Sequence, residues 1–94
     1  PYVIMSRADR GIRTPADLIG RTVMVSDDQG AAQLRAMLTR EGIDPATVTF
    51  VPHSWNLDDL AAGRVDAISA YATVEPFMMR ARGLEPSLLH TVDY

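Results

Sequence analysis

The sequence predicts a mainly parallel α/β domain, three layers deep (α/β/α), with about five strands and helices on both faces of the sheet. Two observations carry this. Short apolar runs rich in β-branched residues alternate with short helical segments, each opened by a capping residue or a proline and closed by a glycine. The run Val65 to Tyr71 is small or β-branched on both of its faces, as a central parallel strand covered on two sides should be.

Taken in order, Tyr2 to Ser6 reads as a strand, and Arg7 to Gly11 as the turn after it. Thr14-Pro15-Ala16-Asp17 supplies an N-cap, a proline at the first helical position and a first-turn acid, and Gly20 stops this one- or two-turn helix. Thr22 to Ser26 is the second strand. Ser26-Asp27-Asp28-Gln29 leads into a helix from about Gly30 to Glu41, with a buried stripe of Ala31, Leu34 and Leu38, Met37 beside it, and Gly42 at its end. Asp44-Pro45-Ala46-Thr47 is a second cap-plus-proline turn, and Thr49 to Pro52 a third strand. Asn56 caps a short helix carrying Leu57, Leu60 and Ala61, with Asp58 and Asp59 at its positive end and Gly63 as its stop.

The strand Val65 to Tyr71 then turns through Ala70-Tyr71-Ala72-Thr73 into a helix whose apolar residues Val74, Phe77, Met78 and Ala81 recur at spacings of three and four, which predicts a buried face. Because Pro76 disfavours helical geometry at the residue before it, the helix is expected to start at Pro76, leaving Glu75 to point over the sheet edge. Leu88 to Val92 reads as the last strand.

Composition removes several function classes. The chain of 94 residues has nine Arg and no Lys against twelve acids, for a net charge of −3. The arginines are scattered, so nucleic acid is not an expected partner. Without Lys there is no Schiff-base or P-loop lysine, and without Cys there is no disulfide, thiolate chemistry or Cys-bound zinc. His53 and His90 are the only histidines and no third ligand stands at metal spacing, so no metal and no cofactor is expected. No apolar run is long enough to span a bilayer. The chain starts at Pro1 without a Met or a signal peptide, and it reads as an excised or processed piece of something longer.

Open α/β sheets bind ligands beyond the carboxyl ends of their strands. Three loops there supply the candidate ligand-binding residues: Asp27, Asp28 and Gln29 after the second strand, His53, Ser54 and Trp55 after the third, and Tyr71, Thr73 and Glu75 after the fourth. Each has a structural reading beside the functional one. Asp27 and Asp28 fit an N-cap and first-turn acid; facing a ligand, they favour a cation or neutral amine over an anion. Trp55 either stacks on a flat ligand or packs under its loop, and His53 either hydrogen-bonds that ligand or is solvated. Tyr71 either presents its ring and hydroxyl or finishes the core, while Glu75 either accepts from an amine or only complements its helix dipole. Asp66, opening a strand, is expected to accept N–H groups from the Ala62-Gly63 turn. Met78 and Met79 read as core filler and helix surface.

Three stretches in a fixed order carry a resemblance: Ile12-Arg13-Thr14-Pro15-Ala16-Asp17-Leu18-Ile19-Gly20-Arg21-Thr22-Val23, Leu38-Thr39-Arg40-Glu41-Gly42-Ile43, and Leu60-Ala61-Ala62-Gly63-Arg64-Val65-Asp66-Ala67 followed by Glu75-Pro76. Over nearly the whole chain this resembles the second lobe of type II periplasmic solute-binding proteins, in the branch of nitrate, sulfonate and thiamine-precursor binders. That branch serves ABC importers and also supplies sensor domains to diguanylate cyclases and histidine kinases, which the corner Tyr71 to Phe77 resembles most. The resemblance implies a single lobe whose first lobe is absent, closing on a small organic solute outside the cytoplasm, without catalysis of its own. Its partners would be that first lobe and a permease or signalling domain. A homodimer of the isolated lobe through the uncovered cleft edge is a further expectation. Relatives that hold anions usually open the helix after the second strand with small Ser, Thr or Gly residues, whereas Asp27 and Asp28 stand here. Two other readings share the fold: an enzyme like the pyrimidine-precursor synthases or periplasmic dehydratases, and the effector lobe of a cytosolic transcription regulator.

Overall fold

The computed structural model describes residues 2–25, 28–54 and 56–94, with the side chains of Tyr2, Asp28, Gln29 and Val92 left aside. Its five strands, β1 (Tyr2–Arg7), β2 (Thr22–Val25), β3 (Thr49–Pro52), β4 (Ala67–Tyr71) and β5 (Pro86–His90), form one sheet in the order β3-β2-β4-β1-β5. β2 is parallel to β3 and to β4, while β1 is antiparallel to both β4 and β5. The expected five-stranded α/β sheet is present and is mixed: four strands share one direction, and β1, next to the centre, is reversed. Both outer strands carry a proline at a strand end, Pro52 in β3 and Pro86 in β5, where a missing N–H removes little from the ladder and discourages further pairing.

Among the described residues three α-helices cover the sheet: α1 (Asp28–Arg40), α2 (Asp58–Ala61) and α3 (Glu75–Ala81). Two separate apolar clusters show that both faces are covered. On one face Ile4, Val23, Ala67 and Leu89 from the sheet meet Leu34, Met37 and Leu38 of α1, joined by Ile12, Leu18 and Val48 from the loops. On the other face Val3, Met5, Met24, Ile68 and Ala70 meet Leu57, Leu60 and Met79 from the α2 and α3 side. Neighbouring residues of β1, β2 and β4 fall in opposite clusters, as the two-residue period of a strand requires. β4 is buried from Ala67 to Ala70 and emerges only at Tyr71.

The expected stripe of α1 is the one observed: Ala31, Leu34, Met37 and Leu38 are all buried. Gly42 ends the helix in the left-handed region at φ 74°, which lets the Ile43 N–H turn back to the Leu38 carbonyl at 2.8 Å. Thr14-Pro15-Ala16-Asp17 opens a single 3-10 turn, Pro15–Leu18, and the Asp17 carboxylate accepts the Arg13 and Thr14 N–H groups at 2.9 and 3.0 Å. Asp44 does similar work in the second turn, accepting from Ala46 N–H at 2.9 Å.

Four expectations change. The last strand lies at Pro86–His90 and not at Leu88 to Val92, because the register with β1 runs from Arg7↔Pro86 to Val3↔His90; Thr91–Asp93 then curls into a 3-10 turn. β4, expected from Val65, starts two residues later at Ala67. Asp66 has a structural partner, but it is the start of β2 and not the Ala62-Gly63 turn. Its Oδ2 accepts the Thr22 N–H at 2.8 Å, its own N–H donates to the Thr22 carbonyl at 2.9 Å, and Arg21 lies 3.5 Å from its other oxygen. That pair of bonds levels the entries of β2 and β4 against each other.

The fourth change concerns α3. It begins at Glu75, one residue before Pro76, and its buried residues are Pro76 and Met79. Val74, Phe77, Met78 and Ala81, expected inside, form its exposed face. Met79 is fully buried in the apolar cluster on this face of the sheet, and its carbonyl accepts the N–H groups of Arg82 at 3.0 Å and Leu84 at 3.1 Å, which closes the end of the helix. A proline in the second helical position forfeits no bond, since first-turn N–H groups have no intrahelical acceptor.

Candidate functional site

Because β2, β3 and β4 run parallel, their carboxyl ends open on one edge of the sheet. The β2/β3 ladder continues one step beyond the strands, with His53 N–H donating to the Val25 carbonyl at 3.1 Å. Ile68 is level with Met24, so Tyr71 stands two residues beyond Val25, roughly 7 Å farther out at strand rise. Antiparallel β1 brings Tyr2 opposite Tyr71, so the beginning of that strand reaches the same edge.

A cavity of about 140 Å³ opens between the β3 and β4 loops, lined by His53, Leu57, Ile68, Val74, Glu75 and Met78. Ile68 forms its apolar floor from β4, Leu57 its wall before α2, and Val74, Glu75 and Met78 the first turn of α3. Around it lies exposed apolar surface at the same end: Tyr71 is 46% exposed, Val74 49%, Met78 47% and Phe77 63%. A soluble surface seldom leaves four large apolar side chains open within one loop and one helical turn, and such a patch marks a contact site.

Two polar groups face this apolar setting. Glu75 is half-buried and its Oε2 accepts a long hydrogen bond of 3.4 Å from the Tyr71 N–H, which folds the corner back on itself. His53 is half-buried, and burial holds its pKa below the ordinary 6.5, partly opposed by a hydrogen bond to the Ser69 main chain and by the Glu75 and Asp59 charges. The imidazole is therefore neutral at pH 7. Behind it, Ser54 donates to Asp59 Oδ2 at 2.5 Å and Arg64 to Asp59 Oδ1 at 2.8 Å, and these bonds, Ser54 first, lower the Asp59 pKa. The Asn56 N–H donates to Ser54 Oγ at 3.3 Å, and Asn56 Oδ1 in turn accepts the Asp58 N–H at 3.0 Å. Ser54 thus ties the loop to α2.

Of the residues named from sequence, His53 and Glu75 come together in the cavity. Tyr71 is exposed at the end of β4, and Thr73 is exposed in the turn between β4 and α3. Asp28 and Gln29 open α1 directly after β2, on the same edge, while Asp27 and Trp55 lie outside the described residues. Leu57, Ile68, Val74 and Met78 also line the cavity and were not among the candidates read from sequence. Val74 and Met78 are separated by one helical turn around Glu75, a spacing that points both toward one spot, but the same spacing equally predicts a core stripe.

Comparison with solved structures gives the fold a context. The chain is similar to the alkanesulfonate-binding protein SsuA from Xanthomonas axonopodis pv. citri, solved with bound MOPS, at 24% identity and a TM-score of 0.73, covering 95% of this chain and 31% of that one. It is similar to an ABC uptake transporter substrate-binding protein from Streptococcus pneumoniae, solved with bound histidine, at 19% identity and a TM-score of 0.68, covering 96% and 39%. Domain 2 of TmArgBP matches at 22% identity and a TM-score of 0.60, covering 97% of this chain and 94% of that one. The chain thus has the periplasmic-binding-protein fold of type II and spans about a third of the length of the first two of these proteins. No curated protein sequence matches it. The family model described as NMT1/THI5 like matches residues 1–94, the whole chain, and the protein belongs to that family.

Proposed function

We propose that this chain is the second lobe of an extracytoplasmic solute-binding protein and forms half of a clamp for a small organic molecule. It has no catalytic role of its own in this reading. The observation that supports it most is the cavity at the carboxyl edge, about 140 Å³ in volume and bordered by exposed Tyr71, Val74, Phe77 and Met78. Complete small-molecule pockets usually enclose about 300 to 1,000 Å³ and bury most of their ligand, so a shallow half-pocket fringed with apolar surface suits a site completed by another lobe. Closure of the two lobes would pass through the hinge to a sensor's signalling domain, of the diguanylate cyclase or histidine kinase type, or to an importer's permease.

A thermal-shift screen of the full two-lobe protein against amines, pyrimidines and amino acids tests this. A ligand present at a hundred times its Kd should stabilise the protein by about 2.7 kcal/mol and raise its Tm. The same ligand should bind the isolated lobe far more weakly. Equal affinity for the lobe alone would refute the clamp.

A further inference from the structure

α2 is four residues long, too short to stand by its own hydrogen bonds, so its place depends on what its side chains hold. Leu57 and Leu60 anchor its apolar side in the cluster with Met24, Ile68 and Met79. Its two acids reach in different directions. Asp58 pairs with Arg82, the residue that ends α3. Asp59 accepts the Ser54 hydroxyl at 2.5 Å and Arg64 at 2.8 Å, and its carbonyl accepts the Arg64 N–H at 2.9 Å on the way into β4. The cavity lies between the two segments so tied, with His53 on the β3 loop and Val74, Glu75 and Met78 on α3. Resting on the solute-binding reading above, we propose that α2 sets the width of this half-site, and that Asp59, acting through Ser54, is a positioning residue that holds His53 at the cavity.

Ser54 directly follows His53, whose own N–H makes the last bond of the β2/β3 ladder, to Val25. Fixing the Ser54 hydroxyl therefore fixes the point where His53 leaves the sheet. A hydroxyl that donates to an ionised carboxylate makes a shorter and stronger bond than a neutral pair does. The same hydroxyl accepts the Asn56 N–H at 3.3 Å, which closes the loop on itself. The Asp58–Arg82 pair is exposed on both sides, where an ion pair contributes little, whereas Asp59 is half-buried, so the Asp59 arm is the firmer of the two. Asp59 bears on His53 in two opposite ways. Its charge raises the His53 pKa, while the burial that its bond to Ser54 maintains lowers it, and burial is the larger cause. Glu75 from α3 also raises it, and β4 contributes the Ser69 main chain and no charge.

The test is an NMR titration of His53 in the full two-lobe protein without solute, with its imidazole signal identified by its loss in His53→Gln. Ser54→Ala removes the hydroxyl and leaves every charge in place. Asp59→Ala removes both tie and charge, and Asp59→Asn removes the charge while keeping an acceptor for Ser54. The expected result is a His53 pKa that rises toward 6.5 in Ser54→Ala and Asp59→Ala, as the loop loosens and burial is relieved, and that does not rise in Asp59→Asn. Protection of the His53 amide against hydrogen exchange should fall about tenfold in Asp59→Ala, as expected for loss of a charge-assisted bond. Asp9→Asn, whose parent carboxylate pairs with Arg7 at the opposite edge of the sheet, should leave His53 unchanged. Were Asp59 to act by charge alone, Ser54→Ala would leave the titration where it was, and Asp59→Ala and Asp59→Asn would lower it alike; either result overturns the proposal. Ser54→Ala decides the matter should Asp59→Ala fail to fold. The solute-binding reading is judged apart, by the thermal-shift screen: a solute-responsive protein with an unmoved His53 loses only the brace, and one with the expected titrations and no responding solute loses only the site.

Discussion

α1 and α3 carry the same kind of apolar spacing and use it in opposite ways. In α1, Ala31, Leu34 and Leu38 recur at three and four and disappear into the core; in α3, Val74, Phe77, Met78 and Ala81 recur likewise and face outward. The difference lies in what else each helix offers the sheet. Across from its stripe α1 carries exposed Ala32, Arg35, Ala36 and Thr39, so only one face can be buried. α3 has a second apolar face, Pro76 with Met79, and Met79 is buried in the same apolar cluster as Met5 of β1 and Ile68 of β4. A helix with two apolar faces can bury one against its own sheet and keep the other for a different molecule. Periodicity reports how a helix is sided and is silent on which side is inside.

Substitutions can break or sharpen this contrast. Leu34→Ala should have the largest effect, lowering the unfolding free energy by about 2–5 kcal/mol in denaturant melts, because it empties a fully buried position. Asp66→Ala should cost less, about 1–3 kcal/mol, by leaving the Thr22 N–H without its carboxylate at the point where the strands feeding α1 and α3 are levelled. Phe77→Ser should change stability by no more than about 0.5 kcal/mol, since the ring is 63% exposed. A loss comparable to Leu34→Ala would mean that the outward face of α3 is part of the core after all.

The smallest effect expected is one of acidity, read at the Pro15–Leu18 turn on the α1 side. The Arg13 and Thr14 N–H groups, in that order, lower the Asp17 pKa from 3.8. A depressed carboxylate favours the folded state above its unfolded pKa, and that contribution disappears as pH falls through the folded value. Protection of the Ala16, Asp17 and Leu18 amides against hydrogen exchange, taken relative to the intrinsic rate at each pH, should therefore fall below about pH 3.8, and Asp17→Asn should remove the dependence.

Much of the fold was legible because local signals agreed with one another. Thr14-Pro15, Asp44-Pro45 and the Gly42 stop each mark a boundary through backbone chemistry that does not depend on the rest of the chain. β4 was legible as a central strand because both of its faces are apolar. The direction of β1 was not, since a short apolar strand looks the same when run either way. Asp66 was rightly read as structural, yet its partner lies 44 residues away in sequence, beyond the reach of any local pattern. Of the candidate residues, His53 and Glu75 line one cavity, at the strand ends where open α/β sheets place their ligands. The apolar lining around them was not legible, because Leu57, Ile68, Val74 and Met78 look like ordinary core residues until the fold leaves a gap between them.

The antiparallel pairing of β1 with β5 has a mechanical consequence. Val3 is opposite His90, so tension applied at Tyr2 and His90 acts at one end of the ladder, across its bonds. Such a pair parts one rung at a time, like a zipper, where strands drawn lengthwise in opposite directions would have to break their rungs together. A pull delivered through both of these segments would thus peel β5 away from β1 rung by rung, with β4 and the cavity built upon it lying on the far side of β1.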